Sequence, residues 1–548
     1  MRQFHILLTV ILLAFPLSFH AQEVTPKREV RAVWLTTIGG IDWPHSYAQS
    51  DRSAEKQQQE LCHILDKLQK AGVNTILLQT RIRGTMIYPS QYEPWDGCLS
   101  GFPGKSPGYD ALKFAIEECH KRGMELHAWV VTIPVGKWNA LGCKSLRKKF
   151  PRLIRKIDQD GYMNPEDPQT ANYLAGICAE ITKNYDIDGI HLDYIRYPET
   201  WKIRVSNAQG RKYITHIVEA IHDKVKALKP WVKMSCSPIG KFDDLSRYWS
   251  HGWNAYTKVC QDAQGWLRSG LMDELFPMMY FKDNQFFPFA IDWAENSGGK
   301  IIAPGLGVYF LDRSQADWPL ETVTREMEIL RHYQLGHAYF RSKFFTDDTK
   351  GIYDFAYNDF DAFPALVPAM TWVHGTAPSA PTKIQVTNDH ISWEGATDHS
   401  DAPYLLYNVY SSREYPVDIH DPRNLIAPRI QQTRLDIATS GRYFAVTAMD
   451  RYGNESAALQ SVSKPKPRQG QEMLSCDGKR LILPIKPSTL DAEMVSIETL
   501  QGTILSSKRY EGKSMDVNSI PNGVYLLRSL NRKGISHRLG FFEVRREP

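Results

Sequence analysis

Apolar positions along roughly the first 345 residues alternate between two rhythms. Short runs rich in β-branched residues read as strands, and between them apolar residues recur at i, i+3, i+4 and i+7, the spacing of an amphipathic helix. The first predicted strand is 30–37, and it is followed by a helix near 53–71 with Leu61, Ile64, Leu65 and Leu68 on one face. Seven more strands are expected at 73–80, 124–132, 187–193, 232–237, 274–281, 300–306 and 336–340. Helices are expected at 109–122, at about 170–185 and along 214–228. Gly72, Gly123 and Gly299 each stand just before a strand, where a preceding helix would end. Eight strand–helix units predict an α/β fold, a (β/α)8 TIM barrel with elaborated loops. A doubly wound open sheet is the alternative, but no GxGxxG follows an early strand.

The rhythm changes after the Pro-, Ser- and Ala-bearing stretch 375–382. From there only short alternating strands are expected, at 384–386, 391–393, 404–410 and 443–448, and a basic linker at 463–468 precedes a further alternating segment. The expected organisation is a barrel over 28–375, a β-sandwich over 376–465 and a second β-sandwich over 470–548. The stretch 443–456 resembles the late strand and turn of fibronectin type III domains. Pro521-Asn-Gly-Val-Tyr-Leu-Leu527 resembles C-terminal sorting modules of some secreted bacterial proteins, although Arg545-Arg-Glu-Pro548 lacks their usual lysines, so a plain sandwich is the simpler expectation.

At the N-terminus, Arg2 precedes a short apolar run at 6–17, and Ala21 offers a cut before Gln22, so 1–21 reads as a secretory signal. No Cys follows the cut, which argues against a lipid anchor, and no later stretch approaches 18 apolar residues, so no transmembrane segment is expected in the mature chain. The expected location is the periplasm, the outer surface or the extracellular space. Of the 548 residues 42% are hydrophobic and 23% charged, and the net charge is only +5, so a nucleic-acid partner is not expected. The eight cysteines are scattered without a CxxC pair, and they read as small buried hydrophobes rather than a disulfide or metal framework. No cofactor and no metal are expected. Nothing in the pattern fixes an oligomeric state. The 11% of aromatic residues gains meaning from where it falls.

In a barrel of this kind the chemistry gathers where the strands end. The first ends Trp34-Leu-Thr-Thr37 and leads to Asp42; the second ends Gln79-Thr-Arg81-Ile-Arg83, followed by Glu93-Pro-Trp95. The third carries His127-Ala-Trp129, the fourth Asp188-Gly-Ile-His-Leu-Asp193 with Arg196 beyond, and the sixth ends at Tyr280. Acids, guanidinium forks and aromatic faces on one rim fit a carbohydrate cleft. Asp193 closes an apolar strand and is the leading catalytic candidate, as nucleophile or as base for water; its plain alternative is a structural pair with Arg196. Glycoside hydrolysis normally needs a second carboxylic acid, for which Asp42 and Glu93 are the candidates, with Glu274 weaker near the start of its strand. Asp188 should lie at the barrel bottom as a turn residue. Trp34, Arg81, Arg83, Trp95, His127, Trp129, Arg196 and Tyr280 are the candidate substrate-binding residues. For the tryptophans core packing competes with ring stacking, for the arginines neutralisation of cleft acids competes with sugar binding, and for His127 a core hydrogen bond competes with a substrate contact.

Arg31-Ala-Val-Trp34, Ile41-Asp-Trp-Pro44, Glu93-Pro-Trp95, Leu126-His-Ala-Trp129, Met163-Asn-Pro165 and Asp188-Gly-Ile-His-Leu-Asp193 together resemble the bacterial glycosyl hydrolase-like 10 family over roughly 28–375. The resemblance implies a TIM barrel and a glycosidase of the bacterial envelope, some relatives acting on peptidoglycan glycan strands stripped of stem peptides. The segment ending at Asp193 also resembles the one that carries the nucleophile in alpha-amylase-like barrels. Two rim positions depart from the family pattern: Thr85, where an acid is frequent, and Thr132-Ile-Pro134, where Asn-Pro is common. The expected activity is a secreted glycoside hydrolase acting on an envelope or environmental polysaccharide. The alternatives are a non-catalytic carbohydrate-binding or envelope-scaffolding protein with a decayed barrel site, and a barrel lyase or metal-dependent hydrolase.

Overall fold

The computed structural model describes residues 25–248, 252–439, 441–461, 473–484, 494–500, 502–510, 514–531 and 536–546. The signal read over 1–21 and the basic linker at 463–468 lie outside them. The barrel strands are β1 (Arg31–Leu35), β2 (Thr75–Arg81), β3 (Glu125–Val131), β4 (Gly189–Asp193), β5 (Lys233–Cys236), β6 (Glu274–Leu275 with Met278–Met279), β7 (Ile301–Ile302 with Gly305–Leu306) and β8 (His337–Tyr339). Pro277 and Pro304 cause the two interruptions, since proline brings no N–H to a ladder.

All neighbours run parallel, and the ring closes. β8 pairs with β1, and the sheet's two ends are the lower and upper halves of the same strands, β6 and β7. An open doubly wound sheet is thereby excluded. The helices around the barrel include α1 (Asp51–Lys70), α2 (Ala111–Lys121), α3 (Pro168–Asn184), α4 (Asn207–Leu228), α5 (Ala263–Arg268), α6 (Phe287–Glu295), α7 (Leu320–His332) and α8 (Ser342–Thr346). Local chemistry starts them: Ser50, Asp110, Asp167 and Ser206 each accept a hydrogen bond from a first-turn N–H, and Pro168 follows its cap directly. On α1, Leu61, Leu65 and Leu68 are buried against the strands as the periodicity requires. Between β3 and α3 the chain inserts an antiparallel sheet of Pro134–Lys137, Ile154–Ile157 and Asp160–Met163.

The barrel interior is apolar in part, with Ala32, Trp34, Leu77, Trp129, Phe276, Ala303 and Ala338 in one cluster. Its lower half is polar: Glu125, His127, Lys233 and Glu274 are all buried there. Lys233 Nζ donates to both Glu125 oxygens at 2.9 Å, and His127 Nε2 lies 3.2 Å from Glu125 Oε2. Burial pushes the Glu274 carboxyl up to about 7.

After the barrel, Thr382–Val386, His390–Glu394 and Arg434–Asp436 form one antiparallel sheet; Leu406–Ser412, Leu425–Ile430, Tyr443–Met449 and Leu459–Gln460 form another. Ile391, Trp393, Tyr407, Val409, Phe444 and Val446 fill the space between them. Further along, a four-stranded antiparallel sheet of Met494–Glu498, Ile504–Arg509, Gly523–Leu530 and Ser536–Val544 packs with the Arg480–Ile482 and Ser514–Asp516 pair around its own core. All eight cysteines are free, six of them buried.

The first β module seals the barrel floor. Arg429 donates to Glu125 Oε1 at 2.9 Å and to Asp188 Oδ1 at 2.8 Å, and it is held in the left-handed region at φ 55. Arg451 donates to Asp186 Oδ1 at 2.7 Å and Asp188 Oδ1 at 3.2 Å, while His120 Nε2 stands 2.8 Å from the other Asp188 oxygen. Gly123 meets the module so closely that a Cβ there would lie 2.5 Å from the Pro428 carbonyl oxygen. Burial alone would raise both acids. The charges of His120, Arg429 and Arg451 instead hold Asp188 well below the usual carboxylate range, and those of Lys233 and Arg429 bring Glu125 to about 2.

Replacing Arg429 by Met removes one cation from each of two buried carboxylates and leaves Glu125 to Lys233 and Asp188 to Arg451 and His120, so the full chain should lose about 3 kcal/mol of stability in chemical denaturation at pH 7. Because both acids are depressed in the fold, the stability they add is complete above their unfolded values near 4 and lost as pH falls below them. The Arg429→Met variant should therefore show a flatter acid limb; equal stability at pH 7 would show that the contact carries nothing.

Candidate active site

A cavity of about 410 Å³ opens at the C-terminal ends of the strands. Asp193, the last residue of β4, lies in it with Trp129 and Val131 of β3, Thr36 beyond β1, Gln79 of β2 and Phe340 and Arg341 beyond β8. Pro134, Gly136, Asp160, Gly161 and Tyr162 of the inserted sheet form a wall, and Arg83, Tyr194 and Glu199 complete it. A cavity of about 480 Å³ at the opposite face is lined by Arg28, Glu29, Lys300 and Arg331. Its acid is spent on ion pairs with Arg31 and Arg331, so catalytic chemistry is not placed there.

The Asp193 carboxylate takes three hydrogen bonds: from Trp129 Nε1 at 3.1 Å to Oδ2, and from Ser237 Oγ at 2.9 Å and the Tyr194 N–H at 2.8 Å to Oδ1. Its main chain is fixed too, since Thr132 donates to the Asp193 carbonyl from its N–H at 2.9 Å and its hydroxyl at 2.8 Å. Tyr194 sits in the left-handed region at φ 54, a strained conformation next to the Asp193 carboxyl. Burial raises the Asp193 pKa above its ordinary value, and the Ser237 hydrogen bond, the Arg196 charge and the Trp129 hydrogen bond offset this only in part. Such a carboxyl is poorly solvated and held by oriented donors, an arrangement suited to a nucleophile or general base.

Several expected roles are corrected by the packing. Arg81 and Glu93 are fully buried and pair with each other, Nε to Oε2 at 2.9 Å and Nη2 to Oε1 at 2.7 Å. Arg81 spends its remaining fork on the Val131 and Thr132 carbonyls, so the pair ties β2 to the end of β3 and faces no ligand. Asp42 is also buried: one oxygen accepts from the Thr36 N–H at 2.9 Å and hydroxyl at 2.6 Å, the other from Arg341 and the Lys343 N–H. Asp42 does not line the cavity; it fixes Arg341, which does.

Trp34 points into the barrel, donating to His191 Nε2 at 3.3 Å and meeting Phe276, Tyr280 and Phe340 edge-on. Trp95 packs half-buried on the outer core, and Trp43 is wholly buried with its Nε1 on the Gln57 carbonyl. His127 lies with Glu125 and Glu274 in the lower barrel, away from the rim. Arg196 is buried and binds Glu199 Oε1 at 2.5 Å while covering the Tyr194 ring at 4.3 Å, so it positions two cavity residues; the direct pair with Asp193 is not formed. Tyr280 stacks on Phe340 at 5.0 Å, and its buried hydroxyl is raised well above its ordinary pKa by burial and then by the Asp193 charge. Of the expected residues, Asp193, Trp129 and Arg83 line the cavity.

Sequence reasoning missed the wall. Asp160 and Tyr162 belong to an insertion whose short strands carry no strong period, and the nearby Met163-Asn-Pro165 motif was the one signal pointing there. Glu199 lies just past Arg196-Tyr-Pro198 in a loop. Among the described residues no group of His, Cys, Asp and Glu could hold a metal ion, and no helix is long and apolar enough to cross a membrane.

A buried carboxylate at the end of the fourth strand, under an aromatic-walled cavity on the C-terminal face of a (β/α)8 barrel, has the layout of a glycosidase-type site. Comparison of sequences makes the class particular. The model of the Glycosyl hydrolase-like 10 family matches residues 29–213 and 205–309, and the chain belongs to that family. It is 29% identical over 514 residues to "Glycosyl hydrolase YngK" of Bacillus subtilis (strain 168), covering 84% of this chain and 97% of that protein. It is 28% identical over 290 residues to "Glycosyl hydrolase DigH" of Escherichia coli (strain K12), covering 46% of this chain and 66% of that one. Among solved structures, alpha-L-fucosidase isoenzyme 2 from Paenibacillus thiaminolyticus superposes with a TM-score of 0.41 at 14% identity, over 61% of this chain and 49% of that chain.

Removing one donor from Asp193 should move its titration. In Ser237→Ala the carboxylate loses its largest offset to burial, so the acid limb of kcat/KM for glycan hydrolysis should shift to higher pH, with the plateau rate changed less. An unmoved acid limb in that variant would detach Asp193 from the pH dependence.

Proposed function

We propose that this protein is an exported glycoside hydrolase that cleaves glycosidic bonds of a bacterial envelope polysaccharide, peptidoglycan glycan strands being the first candidate. The observation that carries the reading is Asp193, buried at the cavity floor with three donors on its carboxylate and its pKa raised by burial. Export is supported by the N-terminal pattern of Arg2, the apolar run at 6–17 and Ala21. Cleavage of glycosidic bonds is supported by membership of a family whose members named above are both called glycosyl hydrolases.

In this reading a sugar ring enters between the inserted sheet and the β1 and β8 loops, with Trp129, Tyr162, Tyr194 and Phe340 supplying apolar faces. Asp193 attacks the anomeric carbon or deprotonates the water that does. The leaving oxygen takes its proton from a carboxylic acid in the same cavity, and the acids lining it besides Asp193 are Asp160, beside Lys137 at 3.0 Å, and Glu199, beside Arg196. Arg83 and Arg341 line the cavity as cations suited to carboxylate-bearing or N-acetylated sugars.

Asp193→Asn keeps the side-chain size and removes the charge. Hydrolysis of stripped glycan strands, read as new reducing ends, should fall by about a thousandfold or more, with glycan binding and thermal stability retained. Asp160→Asn and Glu199→Gln should differ, the proton donor's variant losing unactivated glycans while sparing aryl glycosides with good leaving groups. Turnover in Asp193→Asn at the wild-type rate would remove the basis for this mechanism.

A further inference from the structure

The face that carries the cavity also carries an exposed apolar ridge. Tyr47, in the loop between β1 and α1, is 58% exposed, and Phe102, between β2 and α2, is 52% exposed. Leu141, after the inserted strand Pro134–Lys137, is 37% exposed. Exposed large side chains scattered singly need no explanation, but these three are joined to one another and to the cavity wall. Arg83 lines the cavity, and a Cβ at Gly142 would lie 3.0 Å from the Arg83 carbonyl oxygen. Leu141 adjoins that glycine, and its Cδ2 would lie 2.9 Å from a Cβ at Gly104. Gly101, three residues earlier, leaves room for the Tyr47 ring, which a Cβ there would approach to 3.0 Å.

The ridge is built rigidly. Ser100 Oγ lies within hydrogen-bond distance of the Lys105 carbonyl at 2.9 Å and the Phe102 carbonyl at 3.0 Å. The Ala48 N–H binds the Leu99 carbonyl at 2.8 Å, and Gln49 Nε2 binds the Ser100 carbonyl at 3.0 Å, locking the two loops together. Cations stand at intervals along it: Arg83 is exposed at the cavity end, and Lys105 Nζ lies 5.2 Å over the Phe102 ring. Three apolar side chains are few beside the roughly 20–30 residues a side of a stable protein interface. Flat rings with spaced cations suit a narrow, repeating, anionic ligand better than a protein surface.

We infer that Tyr47, Phe102 and Leu141, with Arg83 and Lys105, form a distal subsite that binds a linear glycan bearing carboxylates, so that the chain runs from the Asp193 cavity across the ridge. This rests on the glycosidase reading and adds that the substrate is a polymer gripped several sugars from the cut. The subsite binds remote sugars, and its binding energy is realised only when the chain is long enough to reach it.

The test uses the full chain carrying Tyr47→Ala and Phe102→Ala together, outside the catalytic cavity. The probes are peptidoglycan glycan strands freed of stem peptides, as long chains and as tetrasaccharides, with chitin of matched length as the uncharged control. Affinity is measured by calorimetry in an Asp193→Asn background, and turnover separately with Asp193 intact. The double variant should bind long strands about tenfold or more weakly while tetrasaccharide binding is unchanged, and the unaltered ridge should favour the stripped strands over chitin. Equal loss for both lengths, no loss, equal affinity for chitin, or a shift in sedimentation marking a subunit interface would each overturn the proposal. Ridge-dependent binding of long strands without turnover by the wild-type protein would uphold the subsite and defeat the hydrolase reading instead.

Discussion

The barrel depends on the neutralisation of charge at its floor. A closed ring of eight strands must fill its interior with side chains, and here the lower interior holds Glu125, Lys233, His127 and Glu274. An unpaired carboxylate in such a place costs several kcal/mol, so Glu125, and Asp188 beside it, require cations, whereas burial lifts the Glu274 pKa to about 7. Lys233 supplies one from within, and Arg429 and Arg451 supply two from the β module that follows the barrel in sequence. That module is therefore part of the barrel's electrostatics rather than an appended spacer. Its Glu455 reciprocates by binding Lys27 at 2.6 Å just ahead of β1.

The same constraint reaches the candidate site. Asp188 receives the module's arginines immediately before β4, and Asp193 ends that strand. A strand anchored by ions at its lower end, and at its upper end by the hydrogen bonds from Thr132 to the Asp193 carbonyl, holds its terminal carboxylate in one place. The buried Arg81–Glu93 pair fixes the adjoining ends of β2 and β3. Asp42 does the same for Arg341 beyond β8. The charged residues of this rim thus divide into those that set the geometry, which are buried and mutually satisfied, and those that remain open to the cavity. Preorganisation of this kind lets a carboxylate act without reorganising its surroundings during reaction.

Most of the barrel was legible because its signals are local. The period of α1 buries Leu61, Leu65 and Leu68, and β-branched runs fall within a residue or two of the observed strands. Asp193 was legible for the same reason, since position at the end of a predicted strand is enough to place it on the rim. What sequence could not supply was pairing across distance. Whether Glu93 faces a sugar or Arg81 depends on a loop folding back onto β2, and whether Trp34 stacks on ligand or fills the barrel depends on His191, far along the chain. The inserted sheet that walls the cavity has four-residue strands, too short for periodicity to reveal. Asp188 reads as a turn residue at the barrel bottom; its two arginine partners lie more than two hundred residues away.

The central claim is that water is added across a glycosidic bond at the Asp193 cavity. It is tested most directly by digesting stripped glycan strands with the full-length protein in water enriched in oxygen-18 and weighing the products by mass spectrometry. The account predicts reducing-end fragments that carry one heavy oxygen at the newly formed anomeric carbon. Fragments that are anhydro or unsaturated and carry no label, or intact strands recovered bound to the protein, would contradict it.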